Sequence, residues 1–401
     1  MEKKKLELYI HIPFCKKKCG YCDFLSMAAK ESVHRLYVAS LIEEIRDKSM
    51  CLEDYQVISV FLGGGTPSIL PGAQAAEIME AVGRYFSLAP DVEVTMECNP
   101  KTLDRQKLLM YKAAGINRLS IGLQSTHDKE LQRLGRIHTY QDFLENYDAA
   151  RKAGFGNINV DLMSALPGQT VWDWIYTLER IIRLGPEHIS AYSLMIEEGT
   201  PFYALYGEDE RRRERGEAPI FLPNEETERK MYGMTCQMLG EHGYRRYEIS
   251  NYARPGQECR HNIGYWRRVP YLGLGLGSAS LLEGVRFSNT ADLEDYLQGR
   301  YGNLQELLRG GQGGYPGRSI LWLSKKQQME EFMFLGLRMM EGISRQEFQE
   351  NFGIELEGVY GTVLKDMAHH GLLEQRFGRV FLTEEGVAVS NYVMGQFLLG
   401  D

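Results

Sequence analysis

The chain has 401 residues, of which 43% are hydrophobic and 25% charged, and its formal net charge at pH 7 is -8. This length exceeds what one hydrophobic core usually supports, so we expect a large globular domain followed by a smaller one. The negative net charge argues against a nucleic-acid binder, because sequence-independent binding to nucleic acid needs a basic surface.

The sequence also argues against a secreted or membrane-embedded protein. A strand-like segment follows Lys5 directly, without an apolar signal region, and the sequence contains no run of about 18 apolar residues. Seven cysteines are an odd number in a chain too long for a disulfide-stapled mini-fold, so we expect reduced thiols that can bind metal. We therefore expect a cytoplasmic protein with no integral membrane segment.

Strand-like and helix-like segments alternate through the first 200 residues. The predicted strands cover residues 6–14, 57–62, 92–96, 118–123, 157–163 and 188–195. The predicted helices cover residues 33–50, 73–86, 104–114, 140–153 and 172–184. Such alternation indicates βαβ units with right-handed crossovers and a parallel sheet. Six visible units predict an α/β fold in which residues 1–200 form an open, partial (β/α)6 barrel.

The second half of the chain is less regular. Residues 201–310 are expected to complete the barrel, with a charged helix face or insertion over 208–217 and a helix over 225–240. Two glycine-rich segments, 271–280 and 310–317, follow, and the second is predicted to be a loop or linker. Residues 311–401 are expected to form a small winged-helix-like α+β domain. Its predicted elements are helices over 325–340, 344–352 and 356–370, a hairpin around 379–382 and a last helix.

Cys15, Cys19 and Cys22 lie within eight residues of one another, directly after the first predicted strand. Thiolates favour iron–sulfur clusters or zinc over oxygen-seeking metals. A 4Fe-4S cluster held by three cysteines keeps one iron open, and that iron can chelate the amino and carboxylate groups of a methionine-like ligand. The alternative is a zinc site completed by His11 or Asp23.

Polar residues and glycines follow the predicted strands at their carboxyl ends. In a parallel barrel these ends meet on one rim, where ligands bind. The glycines after the second strand lack Cβ atoms, so backbone groups there can approach a ligand closely. We therefore expect one shared ligand site beside the cysteine loop. The residues concerned are Gly64, Gly65, Thr66, Glu97, Gln124, Asp161 and Ser193, with Arg136 after the fourth strand.

Several long segments resemble the radical S-adenosylmethionine enzymes. The closest resemblance is to the family that contains oxygen-independent coproporphyrinogen III oxidase and its heme-chaperone relatives. It spans nearly the whole chain, including residues 9–15, 134–138, 166–170 and 247–251. The resemblance implies a radical-S-adenosylmethionine barrel and a C-terminal domain of the type found in that oxidase.

The resemblance also implies roles for single residues. Cys15, Cys19 and Cys22 would ligate the 4Fe-4S cluster. Tyr9 and Tyr21 would flank S-adenosylmethionine, Gly64, Gly65 and Thr66 would meet its methionine end, and Glu97 would face it. The oxidase holds a second S-adenosylmethionine at the positions that match Gln124, Arg136 and Asp161, with Ser193 and Ala279 nearby.

Three features separate this chain from the oxidase. Phe24 stands where the oxidase has a fourth cysteine, and only fourteen residues precede Cys15, where the oxidase has a long N-terminal extension. The chain also contains the His-Asn-x-x-Tyr-Trp motif of the heme chaperones. Histidine can ligate heme iron and aromatic rings can stack on a porphyrin. The heme-binding residues implied are His261, Tyr265 and Trp266, with Cys259 as an alternative iron ligand or attachment point.

The sequence thus predicts a cytoplasmic heme chaperone that binds a 4Fe-4S cluster, S-adenosylmethionine and heme. It would transfer heme to an unidentified acceptor protein, and a donor such as a flavodoxin or ferredoxin would reduce its cluster. Reductive cleavage of S-adenosylmethionine would give methionine and a 5′-deoxyadenosyl radical. Two enzymatic alternatives remain open: oxidative decarboxylation of coproporphyrinogen III and radical-driven opening of the heme ring.

Overall fold

The computed structural model describes residues 3–315 and 320–400. Its strands are β1 (Lys4–Ile12), β2 (Tyr55–Gly64), β3 (Leu88–Cys98), β4 (Arg118–Gln124), β5 (Ile158–Ser164), β6 (His188–Ser193), β7 (Arg245–Arg246), β8 (Asn251–Ala253), β9 (Tyr271–Leu274), β10 (Ala279–Leu282), β11 (Val285–Ser288), β12 (Ile320–Trp322), β13 (Ile343–Ser344), β14 (Leu373–Arg376) and β15 (Arg379–Leu382).

Its helices are α1 (Glu31–Ser49), α2 (Gly72–Tyr85), α3 (Arg105–Ala113), α4 (Asp128–Leu134), α5 (Tyr140–Lys152), α6 (Val171–Leu184), α7 (Pro201–Glu214), α8 (Glu225–Glu241), α9 (Arg260–Trp266), α10 (Leu293–Leu297), α11 (Leu304–Leu308), α12 (Lys325–Gly336), α13 (Arg345–Phe352), α14 (Leu356–His369), α15 (Glu384–Ala388) and α16 (Ser390–Gly395).

One large sheet organises the molecule. Strands β1 to β6 are neighbours in chain order, and each pairs with the next in parallel. β9 pairs with β1 in parallel, whereas β8 pairs with β6 in the antiparallel sense. β1 and β6 therefore do not pair with each other, and the barrel stays open between them. The predicted α/β fold with a partial (β/α)6 barrel is confirmed.

Strand β1 shows how the barrel packs apolar side chains against the helices on its outer face and carries polar side chains in its interior. Its side chains alternate between the two faces, and Leu6, Leu8, Ile10 and Ile12 belong to the same buried apolar cluster as residues of α1. The intervening side chains, such as Glu7, point to the barrel interior. The interior of this barrel can therefore carry polar groups, while hydrophobic contacts with the helices hold the strands.

Several short elements were not predicted from the sequence. α4 and α9 have seven residues each, which is too few to show an apolar repeat of helical period. The glycine-rich segment 271–280 contains β9 and the first residues of β10, joined by a turn at Gly275 and Gly277, both with positive φ. The longer helix α7 covers residues 208–214 of the segment 208–217, for which the sequence predicted a charged helix face or an insertion. Its start at Pro201 was not predicted, because its many charged residues hide the helical period in the hydrophobic pattern.

A second hydrophobic cluster lies in the C-terminal part of the chain. It joins α12, α13, α14 and α16 with the small sheet β13-β15-β14. β12 still pairs with β11 of the large sheet and packs against the hydrophobic cluster of the barrel. The chain therefore passes from the barrel cluster to the C-terminal cluster between β12 and α12. Residues 316 and 317 of the predicted linker 310–317 lie outside the described residues. The domain limits drawn from the sequence remain a prediction.

No helix within residues 3–315 and 320–400 is long and apolar enough to cross a membrane.

Candidate functional site

A cavity of about 320 Å³ lies where the carboxyl ends of β2 to β6 meet the cysteine loop. Each of these five strands contributes to its wall, and the loop between β1 and α1 covers it. The cavity therefore occupies the rim on which the sequence predicted a shared ligand site. Its lining includes Cys15, Cys19, Tyr21, Cys22, Gly64, Gly65, Thr66, Glu97, Ser120, Gly122, Gln124, Arg136, Asp161 and Tyr192.

The three cysteines of the loop all line this cavity and are half-buried. The loop is held by backbone hydrogen bonds from Cys15 N–H to the Met27 carbonyl (2.9 Å) and from Gly20 N–H to the Leu134 carbonyl (3.1 Å). All seven cysteines lie in the described part of the chain and are free thiols. Three free thiols on one loop facing one cavity match the donor set of a 4Fe-4S cluster that keeps one iron open.

The zinc alternative needs a fourth protein ligand, His11 or Asp23. Asp23 is exposed on the cysteine loop, and His11 is already engaged. The His11 ring lies 3.0 Å from the Tyr9 hydroxyl through Nδ1 and 2.9 Å from the Leu25 carbonyl through Nε2. Among the residues that the structure describes, no three His, Cys, Asp or Glu side chains converge on a point that could hold a single ion.

The glycine turn after β2 packs against the cysteine loop. Gly64 has a φ of +107°, and a Cβ at this position would overlap the His11 ring. A Cβ on Gly65 would lie 2.9 Å from the carbonyl oxygen of Ile12. The turn's Thr66 hydroxyl then lies 3.4 Å from the Cys15 thiol. The glycines line the cavity as expected, and they are also needed for packing of β2 against the start of the loop.

Glu97 places a buried carboxyl group at the wall of the cavity. It accepts a hydrogen bond of 3.0 Å from the Gly64 N–H. Burial, assisted by the negative charge of Asp161, raises the pKa of Glu97 to about 7. A carboxyl group with this pKa gains its charge most readily beside a cationic group, such as the ammonium of an amino-acid ligand.

Arg136 connects the rim to the cysteine loop. Its guanidinium donates to the Gly122 carbonyl through Nη2, and Nη1 lies 3.5 Å from the Tyr21 hydroxyl and 3.7 Å from the Cys19 sulfur. Its buried Nε has no hydrogen-bond partner in the described part of the protein. An unpaired buried donor at the cavity wall suits an anionic ligand group, because leaving it unsatisfied is costly.

The remaining rim residues form two hydrogen-bonded groups. Asp161 accepts hydrogen bonds from Ser120 (3.1 Å) and from Asn159 (2.7 Å). Gln124, which has a positive φ of 74° at the end of β4, accepts a hydrogen bond of 3.0 Å from the Tyr192 hydroxyl. The sequence placed Tyr192, with Ser193, at the end of the sixth strand on this rim, but it did not single out Ser120. The two-residue alternation along β4 could have identified Ser120, since it shares its face with Gln124.

Three of the predicted S-adenosylmethionine residues do not line the cavity. Tyr9 points into the barrel below it, where its hydroxyl meets His11. Ser193 follows Tyr192 on β6, so strand alternation turns it away, and its hydroxyl lies 3.3 Å from that of Ser164. Ala279 is exposed on β10, beyond β9 in the sheet. The roles of the residues that do line the cavity remain predictions.

The predicted heme residues lie in two places. His261, Cys259 and Tyr265 lie at the amino-terminal end of the barrel, which we call the barrel floor, whereas Trp266 lies outside the barrel. His261 lies inside the amino-terminal end of the barrel and is 1% exposed. Its Nδ1 lies 2.8 Å from the Ser59 hydroxyl, and its ring stacks on Phe61 at 5.1 Å. Burial, together with the nearby positive charge of Arg118, lowers its pKa to about 3. The ring is therefore neutral and sealed from solvent.

The neighbours of His261 complete this floor. The Cys259 thiol is buried and donates to Glu93 at 3.5 Å, and burial raises its pKa. The Tyr265 ring packs between His261 (4.6 Å) and Tyr271 (4.7 Å). Trp266 instead lines an apolar groove against the C-terminal cluster. The structure thus does not bring the four residues to one accessible surface, because successive helical positions of α9 face different directions.

Comparison with known proteins agrees with this architecture. Residues 9–181 match the model of the radical SAM superfamily, and residues 323–389 match that of the HemN C-terminal domain. The heme chaperone HemW of Bacillus subtilis (strain 168) is 36% identical over 391 residues, covering 97% of this chain and 98% of its own. HemW of Escherichia coli (strain K12) is 34% identical, with 98% of each chain covered.

Among solved structures, coproporphyrinogen III oxidase (HemN) from Escherichia coli, a radical SAM enzyme, superimposes with a TM-score of 0.80 at 21% identity. The match covers 99% of this chain and 91% of the oxidase, so the two share one fold over nearly their whole length.

Proposed function

Because this chain belongs to the HemW family within the radical SAM superfamily, we propose that it is a heme chaperone that transfers heme to an acceptor protein. It would bind a 4Fe-4S cluster and S-adenosylmethionine, and it would act in the cytoplasm with a flavodoxin or ferredoxin as electron donor. The observation that carries the proposal is the loop of Cys15, Cys19 and Cys22, whose free thiols line one cavity with the strand ends.

Different residues around the cavity would bind the cluster and S-adenosylmethionine. The three thiols would hold the cluster, and their half-buried positions limit access of water and oxygen. When bound, the cluster would supply the electron for cleavage of S-adenosylmethionine. Glu97 would accept a hydrogen bond from the ligand's amino group, and Arg136 would meet an anionic group through its unpaired Nε. Burial raises the pKa of the Cys22 thiol, so its ligation depends on the metal displacing the proton.

The oxidase alternative is disfavoured at one position of the loop. Phe24, where the oxidase has its fourth cysteine, is 64% exposed at the mouth of the cavity and offers no donor atom. The likeness to the oxidase structure concerns the fold alone, at 21% identity.

A heme titration under anaerobic conditions tests the proposal. The reconstituted full chain is titrated with heme, and then mixed with apomyoglobin as a heme-acceptor probe. We expect a saturable shift of the Soret band, followed by appearance of the myoglobin spectrum. A parallel incubation with coproporphyrinogen III, S-adenosylmethionine and a reductant should give no protoporphyrinogen. Formation of protoporphyrinogen would establish the oxidase alternative, and loss of the Soret band under reducing conditions would establish opening of the heme ring.

A further inference from the structure

A buried network of three side chains leads from the barrel floor to the wall of the cysteine cavity. Its members are Tyr247, His188 and Asn159, and it ends on Asp161, which lines the cavity. The three side chains are buried, and none of them lines the cavity. They can therefore act on a ligand in the cavity only through Asp161.

The contact with Asp161 fixes the orientation of the Asn159 amide. Asn159 Nδ2 lies 2.7 Å from Asp161 Oδ1 and 2.8 Å from the Ser120 hydroxyl, which itself donates to Asp161 Oδ2 at 3.1 Å. Because a carboxylate only accepts hydrogen bonds, the amide nitrogen must face Asp161 and the amide oxygen must face away from it. That oxygen accepts a hydrogen bond from the Ser190 hydroxyl at 3.2 Å and lies 2.7 Å from His188 Nδ1.

The orientation of Asn159 in turn fixes the tautomer of His188. The amide oxygen is an acceptor, so Nδ1 must carry the proton that joins the two groups. Burial, together with the positive charge of Arg118, lowers the pKa of His188 well below its ordinary value, so the ring is neutral and its Nε2 is an acceptor. The Tyr247 hydroxyl lies 2.9 Å from Nε2 and donates to it. All hydrogen bonds of the network thus point the same way, from Tyr247 to Asp161.

Tyr247 is itself held at the outer end of the network. Its ring packs edge-on against the His188 ring, with 5.5 Å between the ring centres. Its carbonyl accepts a hydrogen bond of 2.9 Å from the Met340 N–H, which follows α12. The hydroxyl that begins the network is therefore fixed by contacts on both sides.

We propose that this network positions Asp161 for S-adenosylmethionine binding, with its carboxylate turned to the cavity. The inference rests on the proposed function, in which the cavity binds S-adenosylmethionine, and adds three positioning residues to it. Each oxygen of Asp161 takes a hydrogen bond from Asn159 or Ser120, and the remaining lone pairs can accept from hydroxyl or amino groups of the ligand. Without the network the Asn159 amide can rotate, and its oxygen then repels the carboxylate.

Calorimetric titration of the reconstituted full chain with S-adenosylmethionine tests the network. Tyr247→Phe removes only the hydroxyl and should weaken the affinity about fivefold, because Nε2 of His188 loses its donor. Tyr244→Phe is the matched control, since the Tyr244 ring is also buried but its hydroxyl donates to the Pro186 carbonyl at 2.7 Å, outside the network. The Kd of this control should equal that of wild type. Far-ultraviolet circular dichroism and iron content show whether each variant is folded and loaded.

Substitutions at His188 separate positioning from packing. Asparagine can place an amide nitrogen where Nδ1 stands and keep the donor to Asn159, whereas leucine, of similar size, cannot. We expect His188→Leu to weaken the affinity about tenfold and His188→Asn to recover most of that loss. The ¹⁵N chemical shifts of the His188 ring, assigned by comparison with His188→Asn, should show the tautomer protonated on Nδ1.

The outcomes separate the network from the proposed function. If wild type binds S-adenosylmethionine and Tyr247→Phe and His188→Leu bind it as tightly, the positioning role is wrong and the ligand site stands. Equal weakening by His188→Leu and His188→Asn, or a ring protonated on Nε2, would also overturn the positioning role. If wild type shows no saturable binding, S-adenosylmethionine binding fails as part of the proposed function, and the inference fails with it.

Discussion

Cys15, Cys19 and Cys22 differ from the other four cysteines in their surroundings. All three lie on one loop and are half-buried at the cavity. Cys98 also reaches the cavity wall but is buried at the end of β3, and Cys51 donates to the Lys48 carbonyl within its own turn at 3.4 Å. Reactivity toward metal depends on this grouping rather than on the thiol alone, since a cluster needs several thiolates that face the same volume.

Replacement of a loop cysteine should therefore abolish cluster assembly. We expect Cys19→Ala to lose most of its iron and acid-labile sulfide after anaerobic reconstitution, because two cysteines cannot hold a cuboidal cluster. Cys51→Ala is the control and should retain the wild-type iron content. Equal iron in both variants would refute the assignment of the loop.

The raised pKa of Glu97 predicts that ligand binding depends on pH. Its pKa is raised to about 7 by burial and Asp161, so the carboxylate form is lost as the pH falls through 7. An amino group that donates a hydrogen bond to this carboxylate favours its charged form, so the affinity for S-adenosylmethionine should increase from pH 6 to pH 8. Calorimetric titration should show this rise in wild type and a weaker, nearly flat profile in Glu97→Gln. A profile that rises equally in both proteins would assign the pH dependence to another group.

At the scale of elements, the turn after β2 and the cysteine loop form one packed unit. Gly65 N–H donates to the Ile12 carbonyl and Thr66 N–H to the Phe14 carbonyl, at 2.9 and 2.8 Å. The loop thus gains its position from a strand that is distant in sequence, and any side chain that enters this contact moves the cysteines.

Alanine substitutions at two glycines distinguish the cost of backbone strain from the cost of overlap with a neighbouring side chain. Gly64 and Gly115 both have positive φ, 107° and 90°, but only at Gly64 would a Cβ overlap a neighbour. Gly115→Ala should cost about 1 kcal/mol in the free energy of unfolding, from strain alone. Gly64→Ala should cost about 2 kcal/mol more, because His11 must move as well.

Urea denaturation of the cluster-free chain under reducing conditions measures both effects. Equal destabilisation by the two variants would show that the contact between Gly64 and His11 does not constrain the turn.

At the scale of the whole molecule, charge is distributed unevenly. The net charge is -8, yet the cysteine loop carries Lys16, Lys17 and Lys18, all exposed. Two of these lysines, Lys17 and Lys18, line the mouth of the cavity. An acidic electron carrier would be repelled by the net negative charge and attracted to the loop, so its encounter would be steered toward the cluster site.

Charge reversal on the loop should slow electron delivery. At low ionic strength we expect Lys16→Glu with Lys17→Glu to lower the rate of cluster reduction by reduced flavodoxin about tenfold, and high salt should diminish the difference. Lys325→Glu with Lys365→Glu is the control, since both lysines are exposed in the C-terminal part and the net charge changes equally. Stopped-flow absorbance gives the rates, and equal slowing by both pairs would exclude a specific docking surface.

The features that depend on local spacing could be predicted from the amino-acid sequence alone. The alternation of strands and helices, the cysteine loop and the polar strand ends are all readable from periods of two or 3.6 residues and from short motifs. Parallel strands bring their carboxyl ends to one rim, so the pattern of residues was enough to group Glu97, Gln124 and Asp161.

The position of α9 and the directions of its side chains, in contrast, depend on tertiary packing. His261 and Cys259 could be read as heme ligands in sequence, yet packing against Glu7, Ser59 and Glu93 places them in the barrel floor. The groove beside Trp266 is formed by α12 and α16, which are distant from it in the chain. Such contacts depend on long-range packing of short elements, and no local pattern encodes them.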